Sequence, residues 1–277
     1  MQYKMLVIDL DGTLLTKTKN ISKANLQGLK KYISLGGKVV LSTGRSLENT
    51  LKIVHLIHDQ IKELIQYISC FNGSYIYDVI NEKVLFESTI NKDIVNEIYK
   101  FSLKHGLGFW PYNQRFMQTH FLDVYNINYK FLLQLHHTKR KVCLNPIFNK
   151  NDKFYKINIL PSNFVKKLKH EVVDQLIKEF SDQVNISFTS KYIVEVTNKN
   201  INKASSLRFI ANLYQINLDK VATIGDSPND IPMFKISGLA AAARTKSKTI
   251  IEHVDVIINY KNNSNSVALF INNYLLK

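Results

Sequence analysis

Residues 4–13, with the sequence KMLVIDLDGT, constrain the fold of this chain more than any other segment. Their apolar run MLVI is typical of a strand that is covered on both faces. Two carboxylates, Asp9 and Asp11, end the run, and the alternation of an extended backbone points both to the same side. The pair either closes the strand at an ordinary Asp-Gly turn or holds a hard cation such as Mg²⁺, which would relieve the repulsion between the carboxylates.

The segments that follow alternate regularly between helix and strand. Residues 23–35 and 47–57 are predicted as helices, each preceded by a serine at a cap position. Residues 38–41 and 67–71 are predicted as strands, and an Asn-Gly pair after the second of them predicts a hairpin at the sheet edge. Strand, helix, strand and helix in this order predict a doubly wound α/β domain with a parallel sheet.

A region with a different order of predicted helices and strands interrupts this pattern. It opens with an amphipathic helix at residues 91–105 and later contains a helix that Ser162 is predicted to cap, running to about Phe180. We expect this region to form a separate α/β domain inserted into the first one. The predicted boundaries give residues 85–188 to the insertion and residues 1–84 and 189–277 to the core.

The first pattern resumes after the insertion. Residues 202–213 are predicted as a helix with Lys203 in its first turn. Residues 220–224 are predicted as another buried strand, which runs into the sequence GDSPND and so ends at Asp226. Short strands at 238–243 and 254–258 would complete the sheet.

Several polar residues converge at one edge of this predicted sheet. Asp9, Thr43 and Asp226 follow the C-terminal ends of parallel strands, where α/β sheets bind ligands, and the helix of Lys203 can reach the same edge. The glycine-flanked turns there can present backbone N–H groups to a phosphate. Taken singly, each residue also fits an ordinary role, such as a strand-end hydroxyl, a helix cap or a solvated charge.

The motifs DLDGT, STGR, a lone lysine and GDSPND, in this order and spacing, resemble those of the haloacid dehalogenase superfamily. The large insertion is similar to that of its Cof-type phosphatases, as are the segments FNGS and VEVT. The resemblance covers essentially the whole chain. It implies a Rossmann-like doubly wound parallel sheet core with an inserted α/β cap domain that determines substrate specificity.

The resemblance also implies roles for the two carboxylates. Asp9 would attack phosphorus and form an aspartyl-phosphate, and Asp11 would protonate the leaving alcohol and then activate water. The metal-ligand set would be Asp9, Asp11 through its backbone, Asp226 and Ser227, with Mg²⁺ as the cofactor. The phosphate-binding groups would be Leu10, Thr43, Gly44, Lys203 and Asn229, and Asp230 would orient the metal ligands or Lys203.

The chain departs from the family pattern in two loops. Arg244 stands where the family often has a Gly-Asn-Ala turn, which raises the question of an additional cation at the site. An asparagine-rich stretch at 262–265 replaces the late loop of the family. In the inserted domain, the candidates for contact with a leaving group are Trp110, Tyr112, Arg115, His120 and Lys156, although aromatic residues there also fit a domain core.

The formal net charge of +15 raises the possibility of nucleic-acid binding. Only five of the 37 basic residues are arginine, the usual reader of base edges, so we expect a solvated lysine surface rather than a nucleic-acid interface. The two cysteines lie in no ligand motif and indicate a reducing compartment, the cytoplasm. We expect neither a signal peptide nor a membrane helix.

These observations favour a Mg²⁺-dependent phosphatase whose partner is a small phosphorylated metabolite, such as a sugar phosphate. A phosphosugar mutase is an alternative, because mutases of this superfamily resemble the same motifs. A non-catalytic phosphate-binding regulator is another, although the intact acidic motif residues argue against it. The sequence indicates neither the substrate nor the oligomeric state.

Overall fold

The structure is a computed structural model that describes residues 1–113, 117–120, 140–143, 152–162, 167–190, 193–258 and 265–276. The chain divides into two compact units. The first comprises Met1–Gly44, Thr50–Phe86 and Asn202–Lys277, and the second comprises Arg45–Asn49 and Glu87–Ile201.

The described strands and helices, numbered along the chain, have the following bounds. The strands are β1 (Met5–Ile8), β2 (Lys38–Ser42), β3 (Tyr67–Cys70), β4 (Tyr75–Asp78), β5 (Lys83–Glu87), β6 (Gly108–Tyr112), β7 (Met117–His120), β8 (Arg140–Cys143), β9 (Lys156–Leu160), β10 (Val184–Ser190), β11 (Ile193–Asn198), β12 (Val221–Gly225), β13 (Leu239–Ala243) and β14 (Val256–Ile258). The helices are α1 (Lys23–Ser34), α2 (Leu47–Ile61), α3 (Lys92–Lys104), α4 (His170–Phe180), α5 (Lys203–Leu213), α6 (Ile231–Phe234), α7 (Lys248–Ile251) and α8 (Ser266–Phe270).

The first unit is built on a sheet with the strand order β14-β13-β12-β1-β2-β3-β4-β5. Neighbouring strands from β14 through β3 are parallel, and β4 pairs antiparallel with β3 as the predicted hairpin. The order runs outward from β1 in both directions, so β1 and β12 flank the point where the winding reverses. The Rossmann-like doubly wound fold predicted from the sequence is thereby confirmed, and crevices that bind ligands open at such points.

Strand β1 lies at the centre of this sheet because its four residues are apolar. Met5, Leu6, Val7 and Ile8 are each at most 1% exposed. Met5 and Val7 belong to the cluster that contains Leu207 and Ile210 of α5. Burial on both faces explains why the sequence of β1 is continuously apolar rather than alternating.

The first helix begins and ends as its sequence predicts. The Ser22 side chain accepts a hydrogen bond from the backbone N–H of Asn25 and so caps α1. Gly36, with φ of +87°, follows the helix in the left-handed conformation that glycine adopts most easily. Within α1, Gly28 packs against α8, and a Cβ atom there would lie 3.1 Å from the Cα of Ala268.

The second unit has its own sheet, with the strand order β10-β11-β9-β6-β7-β8. All described pairs are antiparallel except β7 with β8. Apolar residues of α3 and α4 form a core with one face of the sheet, including Ile98, Leu176, Ile157 and Val194. The inserted domain is therefore α/β, as predicted.

Two sequence predictions about this unit differ from the structure. The second unit continues to Ile201 rather than ending near residue 188, because β11 pairs with β10 and β9 and so stays with the inserted sheet. Ser162 is not the cap of α4, which begins at His170 after Lys169. The Ser162 hydroxyl donates to the carbonyl of Gly106.

Candidate active site

The register of the central strands sets the position of the first candidate residues. Ile8 of β1 lies opposite Ile224 of β12 and Leu41 of β2. The backbone N–H of Asp9 then donates to the carbonyl of Ile224 at 3.0 Å, which extends the pairing by one residue. Asp9 and Asp226 consequently leave adjacent strands at the same sheet edge.

Lys203 joins two buried carboxylates at this edge. Its Nζ donates to Oδ1 of Asp9 at 2.5 Å and to Oδ1 of Asp230 at 2.6 Å. The side chain of Lys203 is 0% exposed, as is that of Asp230. Burial alone would lower the pKa of Lys203, but the charges of Asp230 and Asp9 outweigh it and raise this pKa, so the ammonium stays charged.

The amide of Asn202 determines where Lys203 lies. The Asn202 side chain accepts from the backbone N–H groups of Ala204 and Ser205, and Ser205 completes the capping box. Helix α5 therefore begins at Lys203 itself. A cap at this position fixes the lysine at the first turn, from which its side chain reaches the strand edge.

Asp230 has its oxygens occupied by the surrounding loop. Its Oδ2 accepts from the backbone N–H groups of Asp226 and Ser227 at 2.9 and 3.0 Å. Gly225 permits this approach, because a Cβ atom there would lie 2.4 Å from the Asp230 carboxyl carbon. Together with the bond from Lys203, these contacts suit Asp230 to positioning other groups.

Asp226 is held against the loop that follows β1. The Thr13 hydroxyl donates to its Oδ1 at 3.1 Å, and Gly12 packs so closely that a Cβ atom would be 2.1 Å from its Oδ2. Burial, followed by the charge of Asp230, raises the pKa of Asp226 to about 7. A buried carboxylate that resists ionisation in this way indicates a place for a cation.

The carboxylates of Asp9, Asp226 and Asp230 lie close enough to share a metal ion. One oxygen from each lies within 4.8 Å of the others. Burial is the main cause that raises the pKa of Asp9, and its Oδ2 has no hydrogen-bond partner among the described residues. An all-oxygen set with an unpartnered buried oxygen suits a hard cation such as Mg²⁺, so the residues present fit the cofactor.

Thr43 and Asn229 approach the same edge from other elements. Thr43 follows β2, is 1% exposed, and its backbone N–H donates to the carbonyl of Ser69 at 2.9 Å. The Thr43 carbonyl in turn accepts from the backbone of Asn72. The Asn229 amide donates to the side-chain oxygen of Asn72 at 3.2 Å. Gly44 directly follows Thr43, and Leu10 directly follows Asp9.

Asp11 lies outside the buried cluster. Its Oδ1 accepts from Nζ of Lys19 at 2.5 Å, and the two side chains are 40% and 22% exposed, respectively. The backbone of Asp11 forms an isolated bridge with Leu15, which in turn bridges to Ile21. The two carboxylates of the motif therefore differ in environment, which suits them to different tasks.

Arg244 joins this region from the end of β13. Its Nη2 donates to the carbonyl of Gly12, and its charge lowers the pKa of Asp226. The sequence left open whether Arg244 adds a cation to the site. In the structure its guanidinium lies beside the loop that holds Asp226.

In the second unit, one face of the sheet carries buried polar groups. Lys156 Nζ donates to Oε1 of Glu195 at 2.6 Å and lies 4.8 Å from the centre of the Tyr112 ring. Asn158 donates to the Tyr112 hydroxyl at 3.2 Å, and Trp110 is 0% exposed. Of the remaining candidates, Arg115 and the side chain of His120 lie outside the described residues, as do residues 262–264 of the late loop.

Sequence reasoning missed three residues of this edge as site members: Thr13, Lys19 and Asn72. Thr13 ends the DLDGT motif, which gave a signal that could have been used. Asn72 has φ of 56° next to Phe71 with φ of 49°, and this left-handed turn is what brings its amide to Asn229. The contact of Lys19 depends on how the loop after Asp11 folds back, which no local pattern specifies.

This chain is similar to known proteins over most of its length. The family model described as haloacid dehalogenase-like hydrolase matches residues 6–271. A Mycoplasma pneumoniae protein with a provisional phosphatase name is 30% identical over 237 residues, 83% of each chain. The Bacillus subtilis 5-amino-6-(5-phospho-D-ribitylamino)uracil phosphatase YcsE is 25% identical over 281 residues, which cover 99% of this chain and 96% of YcsE.

Solved structures share the fold over nearly the whole chain. A haloacid dehalogenase-like hydrolase from Bacteroides thetaiotaomicron has a TM-score of 0.81 at 21% identity, covering 98% of this chain and 99% of that one. The HAD subclass IIB sugar phosphatase BT4131 has a TM-score of 0.80 at 19% identity, covering 96% and 97%. Within the described part of the chain, no helix is long and apolar enough to cross a membrane.

Proposed function

The chain belongs to the haloacid dehalogenase-like hydrolases, and we propose that it is a Mg²⁺-dependent phosphatase acting on small phosphorylated metabolites, sugar phosphates among them. The observation that carries the proposal is the state of Asp9. One of its oxygens is held by Lys203, and the other is buried and unpartnered among the described residues. The phosphatase names of similar proteins support the same reaction class.

The metal ligands in this proposal are the carboxylates of Asp9 and Asp226, the backbone of Asp11, and Ser227. Bound there, Mg²⁺ would offset the repulsion between the Asp9 carboxylate and the phosphate oxygens. Asp230 would orient the Asp226 loop and Lys203, because its two oxygens already accept bonds from both.

Asp9 acts as the nucleophile in the first step. One of its carboxylate oxygens forms a bond to phosphorus, and the bond from phosphorus to the leaving oxygen breaks. The leaving oxygen keeps the electron pair of that bond and takes the proton of Asp11, so an alcohol departs. Lys203, the hydroxyl of Thr43 and the N–H groups of Leu10 and Gly44 would hold the phosphoryl oxygens, and the Asn229 amide would assist them.

Asp11 acts in the opposite sense in the second step. Its carboxylate takes a proton from water while the water oxygen bonds to phosphorus. The bond between phosphorus and Asp9 breaks, the carboxylate regains its electron pair, and inorganic phosphate departs. Asp11 is partly exposed whereas Asp9 is buried, which suits Asp11 to exchange protons with water. We assign the choice of leaving alcohol to the inserted domain.

A phosphate-release screen tests this proposal. The purified chain is assayed against a panel of phosphate monoesters with Mg²⁺ and, in parallel, with EDTA. We expect release from at least one ester with Mg²⁺, none with EDTA, and none from the Asp9→Asn variant under either condition. Conversion of a sugar 1-phosphate to its isomer without phosphate release would instead support the mutase, and no turnover of any ester would favour a non-catalytic role.

A further inference from the structure

Arg244 has an unusual backbone conformation for a residue with a side chain. Its φ is +55°, in the left-handed region, although glycine is the residue that adopts this region freely. Its backbone N–H donates to the carbonyl of Ile258 at 3.2 Å, so the conformation continues the pairing of β13 with β14. A left-handed arginine is disfavoured relative to glycine and persists only where other contacts hold it. We therefore expect the contacts of the arginine side chain to hold this backbone conformation.

The guanidinium of Arg244 is bonded to the loop that surrounds Asp226. Its Nη2 donates to the carbonyl of Gly12, and its Nε is buried without a hydrogen-bond partner in the part of the chain that the structure describes. Gly12 packs against Asp226, and the next residue, Thr13, donates to the same carboxylate. Arg244 consequently holds a fixed positive charge next to a carboxylate of the site.

Two cations, Lys203 and Arg244, lie near the carboxylates of the site. Lys203 is hydrogen-bonded to Asp9 and Asp230. Its charge and that of Arg244 both act on Asp226, which packs against Gly12, the residue whose carbonyl Arg244 contacts. Arg244 is thus a second cation that stabilises the site when no metal is bound, and a fixed cation near a metal site opposes the binding of another cation.

We propose that Arg244 is a positioning residue that stabilises the metal-free site and weakens its affinity for a divalent cation. This inference rests on the proposed function, since it takes Asp9 and Asp226 as the metal ligands. The protein would then exchange its metal readily and need a relatively high concentration of it. Removing the charge should tighten divalent-cation binding by on the order of tenfold.

Direct titration with Mn²⁺ tests this without reference to activity. The full chain, stripped with EDTA and desalted, is titrated with Mn²⁺ while the electron paramagnetic resonance signal reports the free ion. Arg244→Gln removes the charge but keeps a donor for the Gly12 carbonyl, and Arg244→Lys keeps the charge. Arg244→Gly removes the charge and suits the left-handed backbone, so it guards against misfolding. Arg208→Gln, at an exposed position of α5, is the matched control.

We expect Arg244→Gln and Arg244→Gly to bind Mn²⁺ about tenfold more tightly than the original protein, and Arg244→Lys and Arg208→Gln to bind like it. The difference should shrink as salt is added. Equal or weaker binding by both uncharged variants would overturn the inference. If the unaltered protein binds no Mn²⁺, the proposed metal site fails as well. The predicted order of affinities without any phosphate release would support this inference and contradict the proposed function.

Discussion

Replacing Lys203 with methionine removes the cation on which the buried cluster depends. Lys203 lies 2.5 Å from Asp9 and 2.6 Å from Asp230, whose side chains are 7% and 0% exposed. Methionine keeps a long, flexible apolar side chain but donates no hydrogen bond. The variant therefore leaves two buried carboxylates without the cation that is hydrogen-bonded to both.

The expected loss follows from the burial of these groups. Breaking a buried ion pair by removing one partner costs about 3–5 kcal/mol, because the remaining charge is stranded. For a chain of this size about 1 kcal/mol corresponds to roughly 2–4 °C, so we expect the melting temperature to fall by about 6–20 °C at pH 8 in EDTA. Adding Mg²⁺ should restore part of the loss by supplying another cation.

The loss should also depend on pH. In the folded protein the pKa of Asp9 is already raised from its ordinary value of 3.8 by burial, and Lys203 opposes that rise. Without Lys203 the pKa of Asp9 in the folded protein rises further. At pH values between the pKa of Asp9 in the unfolded chain and its pKa in the folded variant, the folded variant therefore binds more protons than the unfolded chain. Its stability therefore increases as the pH falls through this range, and the penalty should be smaller at pH 5 than at pH 8.

Thermal unfolding followed by circular dichroism, in EDTA at both pH values, measures this effect. Lys220→Met is the matched control, because Lys220 pairs with Asp219 at 3.3 Å with side chains 45% and 64% exposed. An exposed pair of this kind contributes at most about 1 kcal/mol. The reasoning is refuted if Lys203→Met loses no more stability than Lys220→Met at pH 8, or if its loss is the same at pH 5.

Three further perturbations address other parts of the molecule. In the inserted domain, Lys156→Met should destabilise the protein by about 3–5 kcal/mol in urea unfolding, and the added change Glu195→Met should restore most of it; no recovery would contradict a stranded charge. Because the pKa of Asp226 is about 7, Mn²⁺ affinity should fall as the pH is lowered from 8 to 6, and a flat profile would exclude Asp226 as a ligand. Gly12→Ala should destabilise the protein more than Gly36→Ala in thermal melts. Both glycines have a positive φ, but of the two only Gly12 has atoms within 4 Å of an added Cβ, those of Asp226. Equal losses of stability would show that the contact with Asp226 does not matter.

The sequence predicts the core sheet because its strands are buried on both faces and therefore read as short apolar runs. It also predicts the convergence of Asp9, Thr43 and Asp226, since parallel strands bring their C-terminal ends to one edge. The sequence also places Lys203 in the first turn of its helix, and in the structure this helix begins at Lys203, directly after the capping residue Asn202. Local patterns suffice for these features because each is decided by a strand or a helix cap.

Other features depend on contacts between distant segments. The end of the inserted unit at Ile201 depends on the pairing of β11 with β9, a strand that lies well before it in the sequence. The described helix α4 begins at His170, later than the sequence predicts, and the Ser162 hydroxyl donates to Gly106, far away in the sequence. The contact of Arg244 with Gly12 likewise joins segments that are 232 residues apart.

The central claim is that Asp9 becomes phosphorylated, and it can be tested by trapping that intermediate. The Asp11→Asn variant is mixed with Mg²⁺ and a phosphate ester identified in the screen, quenched in acid, digested and analysed by mass spectrometry. This variant also lacks the acid that protonates the leaving alcohol, so the intermediate should form slowly. Without the carboxylate that activates water it should nevertheless accumulate, and we predict phosphate on the peptide at Asp9, with none in the Asp9→Asn/Asp11→Asn variant. Phosphate on a different residue, or phosphate release by Asp9→Asn with no phosphorylated peptide at all, would contradict the account.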